Sequence, residues 1–397
     1  MDVGELIGPV RVGPVAHGGH CVAQVEGRAV FVRHVLPGEL VTARVSAVAK
    51  KYARADVVDV LEVAQERVEP PCPNAGTCGG CDFQHVAPAF QAELKRRVLA
   101  EQLQRLAGIE WHGEMEQVSP VLGSRIRMRY AVGADGRLGL RAHRSNTVVP
   151  LPAGGCRIAD LAMPSDVGEM AHDFGAGAAA TAQTPQNPAP SRHDGRELLG
   201  VVSVEGGNLF APRSGATVTQ RVGERSFTVD VDGFWQSHRA APEALTEAVL
   251  AGLQPRAGET AFDLYCGVGV FAAALADAGC TVWGIEGSKA AVAHARTNVP
   301  GARFLAGDVA RTLRKLPPNV DLVVLDPPRA GAGRDVVSAL AGLRPRAIGY
   351  VACDPAALAR DLAGFAESGY RPTSIRGFDL FGMTHHVEAV AILARQA

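Results

Sequence analysis

The chain has 397 residues, a formal net charge of -1, 47% hydrophobic residues and only 5% aromatic residues. This length suffices for two or three domains, and the scarcity of aromatics together with 45 glycines favours an α/β protein over an all-β one. The sequence contains no apolar run of transmembrane length, and Met1–Glu5 lacks the basic flank and apolar core of a signal peptide. We therefore expect a cytoplasmic protein with no membrane partner. In that compartment we expect its eight cysteines to bind metal or to act in catalysis rather than to form disulfides.

Residues 1–62 consist of short β-rich runs separated by glycine turns. The runs are Val10–Val12, Cys21–Val25, Ala29–Val32, Leu40–Val48 and Val57–Leu61. Several short strands at this spacing predict a small β-barrel. Basic residues lie within and between the runs, as an oligonucleotide-binding barrel requires, although acidic residues almost balance their charge.

Residues 63–230 are predicted to form a central β-rich domain. One helix is expected at 88–107, with apolar residues along one side, and we expect it to pack on the C-terminal domain, residues 231–397. The composition of 174–197 turns to small and polar residues, which predicts a flexible loop. The segment from Arg125 to Arg144 contains six arginines and one acidic residue, which indicates either contacts with nucleic-acid phosphates or a solvated strand face.

Residues 231–397 alternate helices with buried strands, and this alternation predicts a mostly parallel sheet covered on both faces. Such a sheet binds nucleotides outside the carboxyl ends of its strands. The predicted helices are Ala244–Leu253, Phe271–Ala278 and Lys289–Asn298, and the predicted strands are Thr260–Leu264, Thr281–Ile285, Ala302–Leu305, Asp321–Leu325 and Ile348–Ala352.

The strongest nucleotide-binding signal is the run Phe262–Gly269, a strand that leads into a Gly-x-Gly turn. Glu286 follows the next strand, where a carboxylate accepts hydrogen bonds from ribose hydroxyls, and Asp308 follows the third. No pyrophosphate-binding pattern is complete, because Ala272 replaces the third glycine. This favours adenosine attached to something other than a diphosphate, such as S-adenosylmethionine, over a dinucleotide in a dehydrogenase-like sheet.

Two strand ends carry candidate reactive groups. Asp326-Pro-Pro-Arg329 follows one apolar strand, and Cys353 follows the next. A thiolate that adds to C6 of uracil turns C5 into a nucleophile for a sulfonium methyl group, and Glu388 is a candidate base for removing the C5 proton. Considered singly, Cys353 would more often be a buried packing residue and Glu388 a solvated carboxylate.

Three cysteines with the spacing Cys72-x5-Cys78-x2-Cys81 are set among Pro, Gly and Asn, and Cys156 follows a Gly-Gly pair. Such a loop can direct three sulfurs toward one metal centre, with Cys156 as a fourth ligand. Spacing alone leaves zinc and an iron-sulfur cluster open, because both accept four thiolates.

Together these motifs resemble the RNA uracil-C5 methyltransferase family, in particular the branch that modifies 23S ribosomal RNA. The resemblance implies a Rossmann-like class I methyltransferase domain at 231–397, an OB-like TRAM barrel at 1–62 and a central iron-sulfur domain at 63–230. It also implies that Cys353 is the nucleophile and Glu388 the base. The residues that would contact S-adenosylmethionine are Gln236, Tyr265, Glu286, Asp308 and Asp326, and those that would hold a 4Fe-4S cluster are Cys72, Cys78, Cys81 and Cys156. We expect the protein to be a monomer, with zinc as the alternative to the cluster.

Five positions depart from the family pattern. The family usually has Asn where His238, Val270 and Asp354 stand, Ser where Ala352 stands, and Pro where Gly382 stands. Asp354 adds a negative charge beside the thiol, which raises its pKa.

Three alternative functions remain. Transfer RNA could be the substrate, although that branch of the family is expected to lack the cysteine motif. The chain could instead be an inactive, RNA-binding redox sensor, which the presence of Cys353 and Glu388 disfavours. An amine methyltransferase is disfavoured by Arg329, because an exocyclic amine needs an acceptor.

Overall fold

The computed structural model describes residues 1–166 and 197–396. Of the loop predicted at 174–197, residues 174–196 lie outside the described residues, and Glu197 is the first residue of a strand. None of the described helices is both long and apolar enough to cross a membrane.

The N-terminal part is a five-stranded sheet with the strand order β1-β4-β5-β3-β2. Its strands are β1 (Leu6–Arg11), β2 (Cys21–Val25), β3 (Arg28–Arg33), β4 (Leu40–Val48) and β5 (Tyr52–Glu62). Alternate residues of β4, Val41, Ala43 and Val45, are buried, as period-2 patterning requires. The outer strands β1 and β2 also contact each other, which curls the sheet into a barrel.

Helix α1 (Pro88–Ala107) connects the barrel to the rest of the chain. It begins with a proline in its first turn and ends at Gly108, which has a left-handed conformation with φ 65° and satisfies carbonyls of the last turn. The helix buries Leu99 and Leu103 in the same apolar cluster as Phe365 of a C-terminal helix. The expected contact of this helix with the C-terminal domain is therefore present.

The central part contains a second five-stranded sheet, ordered β11-β10-β7-β8-β9, and the hairpin β12-β13. Its strands are β7 (Arg127–Val132), β8 (Leu138–Arg141), β9 (Val148–Pro150), β10 (Glu197–Ser203), β11 (Gly206–Phe210), β12 (Thr217–Val222) and β13 (Arg225–Asp230), and the short β6 (Met115–Gln117) precedes them. Met128 and Tyr130 of this sheet belong to one buried cluster with Trp235 and Leu245. The central sheet thus shares its apolar core with the C-terminal domain.

The C-terminal part is an eight-stranded sheet ordered β16-β15-β14-β17-β18-β20-β19-β6. The strands are β14 (Thr260–Leu264), β15 (Thr281–Glu286), β16 (Arg303–Ala306), β17 (Leu322–Leu325), β18 (Ala347–Ala352), β19 (Tyr370–Asp379) and β20 (Glu388–Arg395). The helices are α2 (Ala241–Leu253), α3 (Val270–Asp277), α4 (Lys289–Asn298), α5 (Val309–Thr312), α6 (Arg334–Leu343) and α7 (Pro355–Glu367), with a 3₁₀ turn at Leu313–Lys315. Strands β14 to β18 are parallel, as predicted, whereas β20 is antiparallel to both of its neighbours.

A buried ion pair fixes α1 to the C-terminal sheet. Lys95 Nζ lies 2.5 Å from Asp379 Oδ1, at the end of β19, and both side chains are almost completely buried. Lys95 also donates to the carbonyl of Phe381 at 2.9 Å. The position of the chain after β19 therefore depends on α1.

Replacing Lys95 with alanine should lower the free energy of unfolding by about 3–5 kcal/mol, because Asp379 would remain buried without its counter-ion. Urea denaturation followed by circular dichroism measures this loss. The exposed Lys289 offers a matched control, whose alanine variant should stay within about 0.5 kcal/mol of wild type. Equal losses in the two variants would contradict the assignment.

Candidate active site

A cleft of about 720 Å³ opens at the carboxyl ends of the parallel strands. All seven residues predicted to bind S-adenosylmethionine or react with uracil line it: Gln236, Tyr265, Glu286, Asp308, Asp326, Cys353 and Glu388. Five carboxylates border the cleft, because Asp230 joins the four predicted ones, against the two arginines Arg125 and Arg329. The cleft therefore favours a cationic ligand.

The glycine turn after β14 leaves backbone groups open to a ligand. Tyr265 and Gly267 both have positive φ, 61° and 53°. At Gly269, with φ 92°, an added Cβ would come within 3.1 Å of Val299. The carboxylate of Glu286 accepts from the amides of Gly267 (3.1 Å) and Ser288 (2.7 Å), which fixes its position beside the turn.

Two aspartates lie close to the turn: Asp263 is completely buried, and Asp326 is partly exposed in the cleft. Asp263 Oδ2 accepts from the amide of Ala272 at 2.8 Å, while its Oδ1 is buried without a hydrogen-bond partner. Burial raises the pKa of Asp263 well above its ordinary value, and the carboxylates of Asp326 and Glu286 add to this shift. Burial also raises the pKa of Asp326 to about 7. A nearby cation would stabilise the ionised form of both groups.

Asp308 and Gln236 reach the cleft from loops. Asp308 caps the N-terminus of α5, where its Oδ1 accepts from the amide of Arg311 at 3.0 Å. Gln236 lies between β13 and α2, two residues after the exposed Phe234 of the same loop. Both side chains are thus set at the rim of the cleft rather than in the sheet.

Cys353 and Glu388 are brought together by the sheet. Cys353 follows the last residue of β18, and Glu388 is the first residue of β20. Since β20 is antiparallel to β18 with Ala389 opposite Ala352, the start of one strand lies beside the end of the other. The thiol and the carboxylate therefore face the same cleft.

Both reactive groups have raised pKa values. Burial raises the pKa of the Cys353 thiol to about 11, and three carboxylates, Glu388, Asp326 and Asp354, contribute to the shift. Burial raises the pKa of Glu388 well above its ordinary value, Asp326 adds to that shift, and Arg329 opposes it. A carboxylate with a raised pKa is a stronger base, whereas the thiol needs assistance to ionise.

Asp354, the residue after the thiol, has two structural tasks. Its Oδ1 caps α7 by accepting from the amide of Ala357 at 2.8 Å. Its Oδ2 lies 3.2 Å from Nε2 of His17, which belongs to the barrel. Burial raises the pKa of Asp354, but the bonds from His17 and Ala357 outweigh burial and hold it below its ordinary value. Asp354 is therefore ionised at neutral pH beside Cys353.

If Cys353 is the nucleophile expected from the sequence, replacing Asp354 with asparagine should increase kcat/KM for methyl transfer at neutral pH by about two- to fivefold. Asparagine caps a helix as well as aspartate does, so α7 should persist while the thiol loses one negative neighbour. The pKa of Cys353 then falls, more thiolate is present at a given pH, and the rising limb of the pH-rate profile moves to lower pH. Asp335→Asn, an exposed change on α6, is the control; a shift to higher pH would refute the argument.

The four cysteines predicted to bind metal come from two chain segments. Burial raises the pKa of Cys78, and the neighbouring thiols Cys156 and Cys72 raise it further. Burial likewise raises the pKa of Cys81 to about 12, and Cys156 contributes. The Gly80 amide donates to the sulfur of Cys78 at 3.4 Å. Cys78 and Cys156 each interact electrostatically with all three of the other thiols, so the four lie near one another.

Within 1–166 and 197–396, no group of three or more His, Cys, Asp or Glu side chains has a geometry that could hold a metal ion. A zinc site would need all four sulfurs about 2.3 Å from a single ion. In residue type the four thiols fit either zinc or an iron-sulfur cluster, because both accept four thiolates.

Two of the departures from the family pattern have local causes. A Cβ at Gly382 would come within 2.5 Å of both the side chain and the carbonyl oxygen of Val121, so the space for a proline ring is filled. His238 is buried and accepts from the amide of Ala240 at 3.1 Å, and it does not line the cleft. His238 thus supports the start of α2.

The predicted arginine face is divided among three environments. Arg125 lines the catalytic cleft and lies over the ring of Phe381, 5.8 Å from its centroid. Arg127 donates to the backbone carbonyls of 230, 231 and 233, so it braces the chain before Gln236. Arg129 is exposed and pairs with Glu197. The clustering of arginines in the sequence did not distinguish these roles.

The sequence prediction missed two acid-histidine pairs near the cleft. His294 of α4 lies 2.8 Å from Asp230, and both residues line the cleft. His385 lies 2.6 Å from Asp82, and its ring packs 4.4 Å from that of His386, another lining residue. In each pair the partners are far apart in sequence, and no local signal links them.

Three family models match the chain: the TRAM domain at 7–58, a methyltransferase domain at 261–341 and tRNA (uracil-5-)-methyltransferase at 314–396. An uncharacterized RNA methyltransferase of Streptomyces avermitilis is 45% identical over 97% of both chains. An uncharacterized RNA methyltransferase of Nitratidesulfovibrio vulgaris is 33% identical, covering 98% of this chain and 96% of its own.

Among solved structures, the tRNA (uracil-54, C5)-methyltransferase of Pyrococcus abyssi in complex with S-adenosyl-L-homocysteine superposes with a TM-score of 0.73. It is 23% identical and covers 97% of this chain and 99% of its own, so the two share a fold: a class I methyltransferase domain with an N-terminal TRAM domain. The chain belongs to the RNA uracil-C5 methyltransferase family and is an S-adenosylmethionine-dependent enzyme.

Proposed function

We propose that the enzyme forms 5-methyluridine in 23S ribosomal RNA, with Cys353 as nucleophile and Glu388 as base. The observation that carries the mechanism is the meeting of this thiol and this buried carboxylate in one cleft, at the paired ends of β18 and β20. An amine methyl acceptor would have no need of the thiol. The target base leaves its stack to enter the cleft.

The reaction balances without a further reagent. The Cys353 thiolate adds to C6, and the electrons of the C5-C6 double bond pass into an enolate. C5 then takes the methyl group from the sulfonium, whose sulfur keeps the bonding electrons and leaves as a neutral thioether. Glu388 removes the C5 proton, the double bond re-forms and the thiolate departs.

We assign the residues that bind the cofactor from their positions around the glycine turn. We assign Glu286, held by two amides, to the ribose hydroxyls, and Asp308 to the adenine end. Asp326 and Gln236 would face the methionine end, close to Cys353. Tyr265 would cover the ligand from the turn.

Ribosomal RNA is favoured by the four cysteines, which we propose hold a 4Fe-4S cluster through Cys72, Cys78, Cys81 and Cys156. When bound, the cluster would crosslink the cysteine-bearing loop to the central sheet. Transfer RNA remains the second candidate, because the Pyrococcus abyssi relative of similar fold is named for a tRNA uridine.

Release of tritium from uracil C5 tests the reaction and its substrate together. Anaerobically purified protein is mixed with S-adenosylmethionine and with ribosomal or transfer RNA transcripts labelled at C5. Release from ribosomal RNA alone supports the proposal, and release from transfer RNA alone replaces it by the second candidate. Iron and sulfide near four atoms each per chain are expected, whereas one zinc per chain would refute the cluster.

A further inference from the structure

The segment that leads into Glu388 is held by the part of the chain that carries three of the cysteines. We call residues 380–387, between β19 and Glu388, the base segment, and residues 72–85 the cysteine loop. The carbonyl of Met383 accepts from the amides of Asp82 and Phe83, at 2.9 and 3.0 Å. These two bonds form a short main-chain bridge between the two segments.

The side chain of Gln91, in α1, hydrogen-bonds to the backbone on both sides of the same bridge. Its Oε1 accepts from the amide of Met383 at 2.8 Å, and its Nε2 donates to the carbonyls of Phe83 (3.1 Å) and Val86 (2.9 Å). The side chain is completely buried. One glutamine thus satisfies backbone groups of both the base segment and the chain after the cysteines, and its loss would leave them unpaired in the interior.

Side chains add two further connections. Met383 is buried in one apolar cluster with Cys81 and Ile158, and Cys156 packs against that cluster. Two residues later, Nδ1 of His385 lies 2.6 Å from the carboxylate of Asp82. The base segment is therefore attached to the cysteine loop on both sides of Thr384.

The backbone at Met383 shows why these attachments matter. Its φ is 64°, a left-handed conformation that a residue with a Cβ rarely adopts without support. Three hydrogen bonds at its amide and carbonyl, and the two that Gln91 donates to Phe83 and Val86, supply that support. Without them the turn would relax toward ordinary backbone angles and carry Glu388, five residues further on, away from its position beside Cys353.

We propose that Gln91, Asp82 and His385 are positioning residues for the catalytic base, and that the cysteine centre acts in catalysis by holding the cysteine loop against the base segment. On this view the centre needs no electron transfer during methylation. The inference rests on the proposed roles of Cys353 and Glu388. It gives Cys72, Cys78, Cys81 and Cys156 a role in methylation, which the proposed mechanism does not itself provide.

The order of the chemical steps provides a specific readout. Addition of Cys353 and methyl transfer both precede the action of Glu388, so a displaced base leaves the methylated RNA covalently attached to the protein. A merely destabilised enzyme would lose all steps together. The adduct survives denaturation and is detected as labelled RNA that migrates with the protein.

The test compares Gln91→Leu and His385→Ala with Gln220→Leu. Gln220 is also a buried glutamine, which donates to the carbonyl of Val202 at 2.9 Å in the central region. For the first two variants we expect tritium release to fall by about ten- to a hundredfold, the adduct to accumulate and KM for S-adenosylmethionine to stay within about twofold. Hydrogen exchange should accelerate in residues 380–388.

His385→Ala keeps the test decisive if Gln91→Leu does not fold, because His385 is partly exposed. If both variants behave like Gln220→Leu, with no adduct and unchanged exchange at 380–388, the positioning role is overturned. Cys81→Ala should accelerate exchange in the same residues, and unchanged exchange there would remove the cysteine centre from the argument. If Glu388→Gln itself yields no adduct, the proposed mechanism fails instead.

Discussion

The Cys353→Ala variant should lose methylation by roughly 10⁵-fold or more, the scale on which deletion of a catalytic nucleophile acts. Without the thiolate, C5 of uracil stays too electron-poor to accept the methyl group. Binding of S-adenosylmethionine should persist, since the residues assigned to the cofactor come from the glycine turn and the ends of other strands. Isothermal titration for the cofactor and tritium release for turnover measure the two effects separately.

Cys280→Ala is the matched control for this loss. That thiol belongs to the same domain, is only partly buried and bonds to the carbonyl of Arg256, away from the cleft. Its removal should leave turnover within about twofold, as for surface changes that touch no functional group. Substantial methylation by Cys353→Ala would show that the thiol is a packing residue after all.

The Glu388→Gln variant should lower turnover by about 10²- to 10⁴-fold, the usual contribution of a general base. Glutamine has the shape of glutamate but cannot take the C5 proton, so the covalent RNA adduct should accumulate while methyl transfer to the bound base still proceeds once. A denaturing gel with labelled RNA reports the adduct, and the radioactive methyl group of the cofactor should migrate with it.

The pH dependence of the wild type has a definite sign. Burial raises the pKa of Glu388, and the residue acts only when ionised, so turnover should fall as the pH decreases through that raised pKa. The thiol of Cys353 also ionises toward high pH, which steepens the same limb. If Glu388→Gln retained wild-type turnover without any adduct, another group would have to be the base.

Local signals explain which parts of the fold were predictable. Helix α1 was expected at its observed bounds, because a proline marks its first turn and a glycine its end. Helices α3 and α4 and the parallel strands β14 to β18 were expected within a few residues, since apolar runs alternate with glycine turns. The pair β19 and β20 was not expected. The three-residue strand β6 was not expected either, because it pairs with β19, which lies far from it in sequence.

The candidate site shows the same division. Residues directly after strands, such as Asp326 and Cys353, were predictable because parallel strands align their carboxyl ends at one edge. Contacts such as His17 with Asp354 and Asp82 with His385 join segments hundreds of residues apart. They depend on how the barrel and the cysteine loop dock on the domain, which no local pattern encodes.

The surplus of carboxylates around the cleft has a consequence for the product. S-adenosylmethionine carries a positive sulfonium, and the cleft has five carboxyl groups against two arginines. Two of these groups, Asp326 and Glu388, have raised pKa values, and a nearby cation favours their ionised forms. Methyl transfer converts the sulfonium to a neutral thioether, so the attraction that retained the cofactor disappears in the step that consumes it. The enzyme should therefore bind fresh cofactor more tightly than spent cofactor and resist inhibition by S-adenosyl-L-homocysteine, which lets turnover continue as that product accumulates.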